Sequence, residues 1–156
     1  MQHEQLLRTP IGTLRLIENG GAITDIKMSV ECPDEPVRHS TPLLQEACSQ
    51  LEAYFAGSLI RFDLPLAPQG TPYEQRVWEA IRQIPYGTTA SYGQIASRIG
   101  NPQGARSIGR AAHRNPILIV IPCHRILGAN GSLTGYAGGL AIKEALLHLE
   151  RQSLLK

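Results

Sequence analysis

Short apolar runs and turn residues alternate through the N-terminal third of the chain. In LLRTPIGTLRLIENGGAITDIKM, Leu6 to Met28, β-branched and apolar positions are interrupted by Pro10-Ile11-Gly12 and by Asn19-Gly20-Gly21. This predicts strands joined by tight turns, the second a hairpin. A polar loop is expected from about Glu31 to Ser40. Thr41-Pro42 has the cap-then-proline order of a helix start, and Leu43, Leu44, Ala47, Leu51 and Phe55 make a helical stripe that stops at Gly57. Leu59 to Leu66 reads as one more strand. Pro65, Pro68, Gly70 and Pro72 then crowd four helix breakers into eight residues, which suits a connector.

Beyond that boundary the pattern turns helical. Thr71-Pro72 starts a helix carrying Tyr73, Val77, Trp78 and Ile81, ended by Pro85-Tyr86-Gly87. Ser91 caps a second with Tyr92, Ile95, Ala96 and Ile99, ended by Gly100-Asn101-Pro102, and a third runs from about Gln103 to Arg114. Two short helices joined by a Gly/Pro turn form a helix-turn-helix pattern. A last helix, GGLAIKEALLHLE, has the stripe Ile142, Leu146, Leu149, with Glu150 on its edge. Glu150 is either a core-facing carboxylate in need of a partner or a solvated terminal residue.

Composition narrows the class. The 156 residues, 42% of them hydrophobic, fit one domain or two small ones. No apolar run approaches the roughly 20 residues of a membrane helix, and the first ten residues are too polar for a signal peptide, so a cytoplasmic protein is expected. Cys32, Cys48 and Cys123 lack CxxC spacing, which argues against a disulfide framework or a zinc ribbon. Cys32 and Cys48 read as packing or surface thiols. The formal charge of +2 is unevenly spread: residues 1–69 hold five Lys/Arg against nine Asp/Glu, and residues 70–156 ten against four. A basic C-terminal half suits a polyanionic partner.

Two stretches carry candidate chemistry. The third helix, QGARSIGRAAHRN, sets Arg106, Arg110, His113 and Arg114 among small residues such as Ala105, Ser107 and Gly109. Glycine costs a helix about 1 kcal/mol against alanine, so Gly109 implies close packing against another helix or a slim profile for a nucleic-acid groove. After Asn115-Pro116, the apolar run Ile117 to Pro122 predicts a buried extended segment ending at Cys123. His124 and Arg125 follow and are expected to lower the thiol pKa, which makes Cys123 a candidate nucleophile. Neighbours on a strand face opposite ways, so His124 reaches Cys123 only if the chain turns or a water bridges them.

IPCHRI, with SYG at 91–93, the AR-x-x-G-x-A helix at 105–111, Asn115-Pro116, GYAGG and KEALLHLE, resembles the O6-alkylguanine-DNA alkyltransferases, also called methylated-DNA–protein-cysteine methyltransferases. The resemblance is strong from about Thr71 to Glu150 and weaker upstream. It implies an α+β fold: a small N-terminal α/β, ribonuclease-H-like domain at 1–69 and a mostly helical, winged helix-turn-helix-like domain at 70–156. Cys123 would accept the alkyl group irreversibly, one per protein. His124 would deprotonate it through a water, with Glu150 orienting the imidazole and Asn115 holding the turn. Tyr92 would help rotate the nucleotide out and protonate the leaving guanine. Arg106 would fill the vacated stack, and Ala105, Ser107, Gly109 and Arg110 would share the DNA-facing helix. Tyr136, Ala137, Gly138 and Ile126 would line the base pocket. The implied partner is double-stranded DNA containing O6-alkylguanine, with O4-methylthymine as a further substrate, bound by a monomer with no metal and no cofactor.

The chain departs from the family pattern in places. Ser107 and Ile108 stand where many members have Ala and Val, Arg110 and His113 make a more basic helix, and Ala137 replaces a serine of some members. The first departures bear on DNA affinity and the last on tolerance for bulky alkyl groups. Two readings compete: a winged-helix lesion-binding module with Cys123 packed inside it, and a cysteine hydrolase built on Cys123, His124 and Glu150.

Overall fold

Three strands and one helix account for most of the first unit in this computed structural model, which describes residues 2–30, 41–133, 135–136 and 138–154. The chain divides into two units, Met1–Pro68 and Gln69–Lys156. In the first, β1 (Gln2–Thr9), β2 (Gly12–Asn19) and β3 (Ala22–Ser29) form an antiparallel meander in the order β1-β2-β3. Gly20 and Gly21 make the second turn with φ of 63° and 83°, a left-handed pair that glycine adopts without a Cβ clash. Leu14, Leu16, Ile23 and Ile26 are fully buried in the sheet.

Helix α1 (Pro42–Phe55) packs on β1 and β2 through Leu44, Ala47, Cys48, Leu51 and Tyr54. Its buried stripe therefore includes Cys48 and Tyr54, with Leu43 and Phe55 only half-buried. Thr41 caps the helix, accepting from the Leu44 amide, and its hydroxyl donates to the buried Glu18 carboxylate at 2.5 Å. Cys48 is a packing thiol: burial, aided by the charge of Glu52, pushes its pKa up to about 11.

The strand expected over Leu59–Leu66 does not form. Leu66 alone bridges Ile23, through Ile23 N–H to Pro65 O at 2.8 Å and Ala67 N–H to Ile23 O at 2.8 Å. Pro65 and Pro68 carry no N–H and cannot donate to a longer ladder. The polar loop expected at 31–40, with Cys32 and His39, lies outside the described residues, as does Ala137.

In the second unit, α2 (Pro72–Arg82) and α3 (Tyr92–Arg98) both begin with reciprocal capping boxes, Thr71 with Glu74 and Ser91 with Gln94. Helix α4 (Ala105–His113) starts two residues later than expected and packs against both. Trp78 is buried, and its indole N–H donates to the Ala111 carbonyl at 2.8 Å, tying α2 to α4. β4 (Ala90–Ser91) and β5 (Ile126–Leu127) form a two-residue parallel pair. Helix α5 (Leu140–Leu154) closes the unit. Among the described residues no helix is long and apolar enough to cross a membrane.

Residues 117–122 are buried as expected, apart from half-buried Val120, but they are not extended. Val120 N–H returns to Leu118 O at 2.8 Å and Ile121 N–H to Ile117 O at 3.1 Å, with Ile119 at φ 73°. A β-branched residue seldom adopts that conformation, so the surrounding core holds it there. The run is a series of buried turns, and it delivers the chain into a single 3-10 turn, Cys123–Arg125.

Candidate active site

The 3-10 turn changes the geometry expected of Cys123 and His124. Three residues per turn place successive side chains about 120° apart, so the two need not face opposite ways. Both are buried: Cys123 is 3% exposed and His124 0%. Asn115, just past α4, holds the thiol. Its side-chain amide donates to Cys123 Sγ at 3.0 Å and to the Ile121 carbonyl at 2.8 Å, while its Oδ1 accepts from the Ile117 amide at 2.9 Å. One side chain thereby pins both ends of the buried turns and the sulfur.

Glu150 anchors the other side. Its Oε2 accepts from His124 Nε2 at 2.6 Å and from Arg125 Nη2 at 3.0 Å, and its Oε1 accepts from Arg125 Nε at 2.9 Å and the Gly87 amide at 3.1 Å. Arg125 Nη1 donates to the Ile84 carbonyl at 2.8 Å, and its guanidinium lies 5.6 Å from the Tyr86 ring centroid. Burial alone would raise the Glu150 pKa, but His124 and Arg125 favour the carboxylate and hold it at about 2. An ionised carboxylate only accepts, so the shared proton sits on Nε2 and Nδ1 is a bare acceptor. Nδ1 is buried with no hydrogen-bond partner among the described residues. Burial lowers the imidazole pKa and outweighs the opposing hydrogen bond and charge of Glu150, while the charges of Arg125 and Lys143 act in the same direction as burial, which leaves the ring neutral.

The thiol does not have the lowered pKa expected from its neighbours. Burial raises it to about 11, against the smaller opposing effects of the Asn115 hydrogen bond and the Lys143 charge. Arg125 is held instead by the Glu150 carboxylate, through Nε and Nη2. At neutral pH the resting group is a thiol that a base must deprotonate.

Lys143 was missed by the sequence reading. It is 0% exposed, and among charged groups Cys123 is the one that favours its ammonium, against burial that lowers its pKa. The face of α5 turned inward is Lys143, Leu146, Leu147 and Glu150, with Ile142 and Leu149 only half-buried. That spacing of i, i+3, i+4 and i+7 is a helical stripe centred one residue away from the expected one. Two charged residues on a core stripe were the available signal.

Tyr136 is buried, its ring edge-on to His124 with centroids 6.4 Å apart, and its hydroxyl has no hydrogen-bond partner among the described residues. Burial raises its pKa far above the usual phenol, and Cys123 and Glu150 add to the effect. A Cβ on Gly138 would meet the Tyr136 ring at 2.9 Å, so glycine there lets the ring lie where it does. Ile126 is fully buried and sits opposite Ala90 in the β4–β5 pair, away from any open surface.

The basic face forms an open groove of about 630 Å³, lined by Tyr92, Arg106, Gly109, Arg110, His113, Arg114 and Gly135. Ala105 is exposed at the start of α4. Ser107 is half-buried, its hydroxyl bonded to Tyr73 Oη at 2.5 Å and donating to the Gly104 carbonyl at 2.8 Å. A Cβ on Gly109 would lie 3.7 Å from the Tyr92 ring, an ordinary contact. Packing within the chain therefore does not demand glycine at 109. Among the described residues no group of three or more His, Cys, Asp or Glu could hold a metal ion.

Comparison with known proteins bears on both units. Residues 72–152 match the 6-O-methylguanine DNA methyltransferase, DNA binding domain, and residues 3–68 match the ribonuclease-like domain of the same family. A methylated-DNA–protein-cysteine methyltransferase of Methanosarcina acetivorans is 49% identical over 150 residues, covering 93% of this chain and 96% of its own length. The Mycobacterium tuberculosis protein of the same name (strain H37Rv) is 49% identical over 155 residues, covering 97% and 93%. The crystal structure of Mycobacterium tuberculosis OGT in complex with DNA superposes with a TM-score of 0.88 at 45% identity, covering 97% of this chain and 94% of that one. With matches that run through the ribonuclease-like unit and the unit that carries Cys123 alike, the chain belongs to the 6-O-methylguanine DNA methyltransferase family.

Proposed function

We propose that this protein repairs DNA by moving the alkyl group of O6-alkylguanine in a duplex onto Cys123, once per molecule. The observation that carries the reading is the pairing of a buried thiol, held by Asn115, with a neutral imidazole whose Nε2 is locked on Glu150 and whose Nδ1 is bare. Nδ1 takes the thiol proton through a bridging water, and the His124 cation is stabilised by the Glu150 carboxylate. The Lys143 ammonium is the counter-charge for the thiolate. The sulfur attacks the carbon bound to guanine O6, the C–O bond breaks, and its electron pair leaves with the base, which Tyr92 protonates. The product is guanine and a thioether on Cys123.

Reaction inside a duplex requires the nucleotide to leave the stack. Arg106, exposed on the groove, fills the gap it leaves, and Arg110 with His113 and Arg114 holds the backbone. The base enters beside Tyr136 and Gly138. Ile126, fully buried, supports the site without touching the base. O4-methylthymine is a second substrate, and the protein acts as a monomer. The step balances without a metal or soluble cofactor, since the acceptor is the protein itself.

Rapid-quench assay with a fivefold excess of duplex containing O6-methylguanine tests the proposal. The expected amplitude of repaired guanine equals the protein concentration and then stops. Continued turnover would favour a hydrolytic enzyme, and tight binding without repair a lesion-binding module.

A further inference from the structure

Helix α4 is attached to α2 at two places one turn apart. Trp78 holds the Ala111 carbonyl, and Tyr73 holds the Ser107 hydroxyl at 2.5 Å. The second attachment has a determined proton order. Ser107 spends its one hydrogen on the Gly104 carbonyl at 2.8 Å, so the Tyr73 hydroxyl must donate to Ser107 Oγ. Tyr73 Oη accepts in turn from the Asn101 amide at 3.2 Å. The result is a directed relay, Asn101 to Tyr73 to Ser107 to Gly104, which links the helix-turn-helix turn, the first turn of α2 and the first turn of α4. Gly104 is part of it: a Cβ there would lie 2.2 Å from Asn101 Nδ2, so only glycine lets that amide lie over the turn.

The relay bears on function because Ser107 follows Arg106. Adjacent residues on an α-helix are 100° apart, so a helix held by Ser107 and Ala111 on one face has the direction of Arg106 fixed on the other. Arg110 and His113, four and seven residues on, share the Arg106 side of the helix and line the groove with it. We propose that Tyr73 and Ser107 are a positioning pair that sets the rotation of α4 about its axis and thereby aims Arg106 at the DNA. This rests on the reading of Arg106 as the residue that fills the vacated stack.

The test compares Tyr73→Phe, Ser107→Ala and the double variant on two substrates, a duplex carrying O6-methylguanine and free O6-benzylguanine, which needs no extrusion. Losing one neutral hydrogen bond predicts a roughly three- to tenfold slower reaction on the duplex for each single variant. The free-base rate should be unchanged, and the double variant no slower than either single, because both cut the same relay. In an Arg106→Ala background, Ser107→Ala should add nothing. Unchanged duplex rates in Tyr73→Phe and Ser107→Ala, or equal losses on both substrates, would overturn the proposal while leaving the Arg106 role standing. If Arg106→Ala itself failed to separate the two substrates, the underlying reading would fall and the proposal with it.

Discussion

At the scale of single residues, the site depends on how many bonds each charge has already spent. Glu150 accepts from His124, Arg125 and the Gly87 amide, and Arg125 donates to Glu150 and the Ile84 carbonyl, so the two together fix the turn that carries His124. Lys143 is the charge that acts on Cys123. Its isosteric removal, Lys143→Met, should raise the thiol pKa and slow reaction with O6-benzylguanine at neutral pH by about tenfold, the worth of one pKa unit, with the rate recovering at higher pH. A pH–rate profile and the ultraviolet absorbance of the thiolate check this, and a profile identical to that of the unaltered protein would remove Lys143 from the chemistry. The adjacent Cys123 and His124 were legible in the sequence, because an apolar run ending in a thiol and an imidazole is unusual. Lys143 was not, since charged residues are ordinarily assigned to the solvent face and here two of them occupy the centre of the buried stripe.

Elements were legible where local chemistry sets them. Thr41-Pro42, Thr71-Pro72 and Ser91 mark helix starts through capping that the following residues complete, and the glycine pair at 20–21 marks a hairpin. Two extended segments were misjudged for opposite reasons. Leu59–Leu66 lacks a donor at Pro65, and Ile117–Pro122 is apolar enough for a strand but turns on itself around Asn115, a tertiary hydrogen-bonding effect that periodicity does not register. Gly109 gives a test at this scale. A methyl there meets Tyr92 at ordinary contact distance, so Gly109→Ala should keep the fold and stabilise it by up to ~1 kcal/mol in a thermal melt. The same methyl narrows the groove, so affinity for duplex DNA should fall. Unimpaired binding would mean that the slim face of α4 is not where DNA lies.

For the whole molecule, charge and protonation set the working range. The acidic first unit and basic second unit, formally −4 and +6 by residues 1–69 and 70–156, confine attraction for a polyanion to the unit that carries the thiol. Glu150 and His124 both have lowered pKa values when folded, so the unfolded chain binds more protons in acid. Stability from these groups should be complete above the free imidazole value of about 6.5 and decline as pH falls towards the Glu150 value of about 2. Cys123 and Cys48 have raised values of about 11, so their contribution is complete below the free thiol value of about 8.5 and is lost as pH rises through 11. Denaturant midpoints measured across pH should therefore form a plateau between about 6.5 and 8.5 that falls on both sides. A curve that kept rising into acid would contradict the buried carboxylate–imidazole pair.

Intact-protein mass spectrometry, after mixing with excess duplex carrying one O6-methylguanine, tests the central claim most directly. The account predicts a gain of a single CH2 unit, mapped by peptide analysis to Cys123, saturating at one per protein and absent in Cys123→Ala. An unchanged mass with the lesion bound but intact would contradict it and return Cys123 to the role of a packed core thiol.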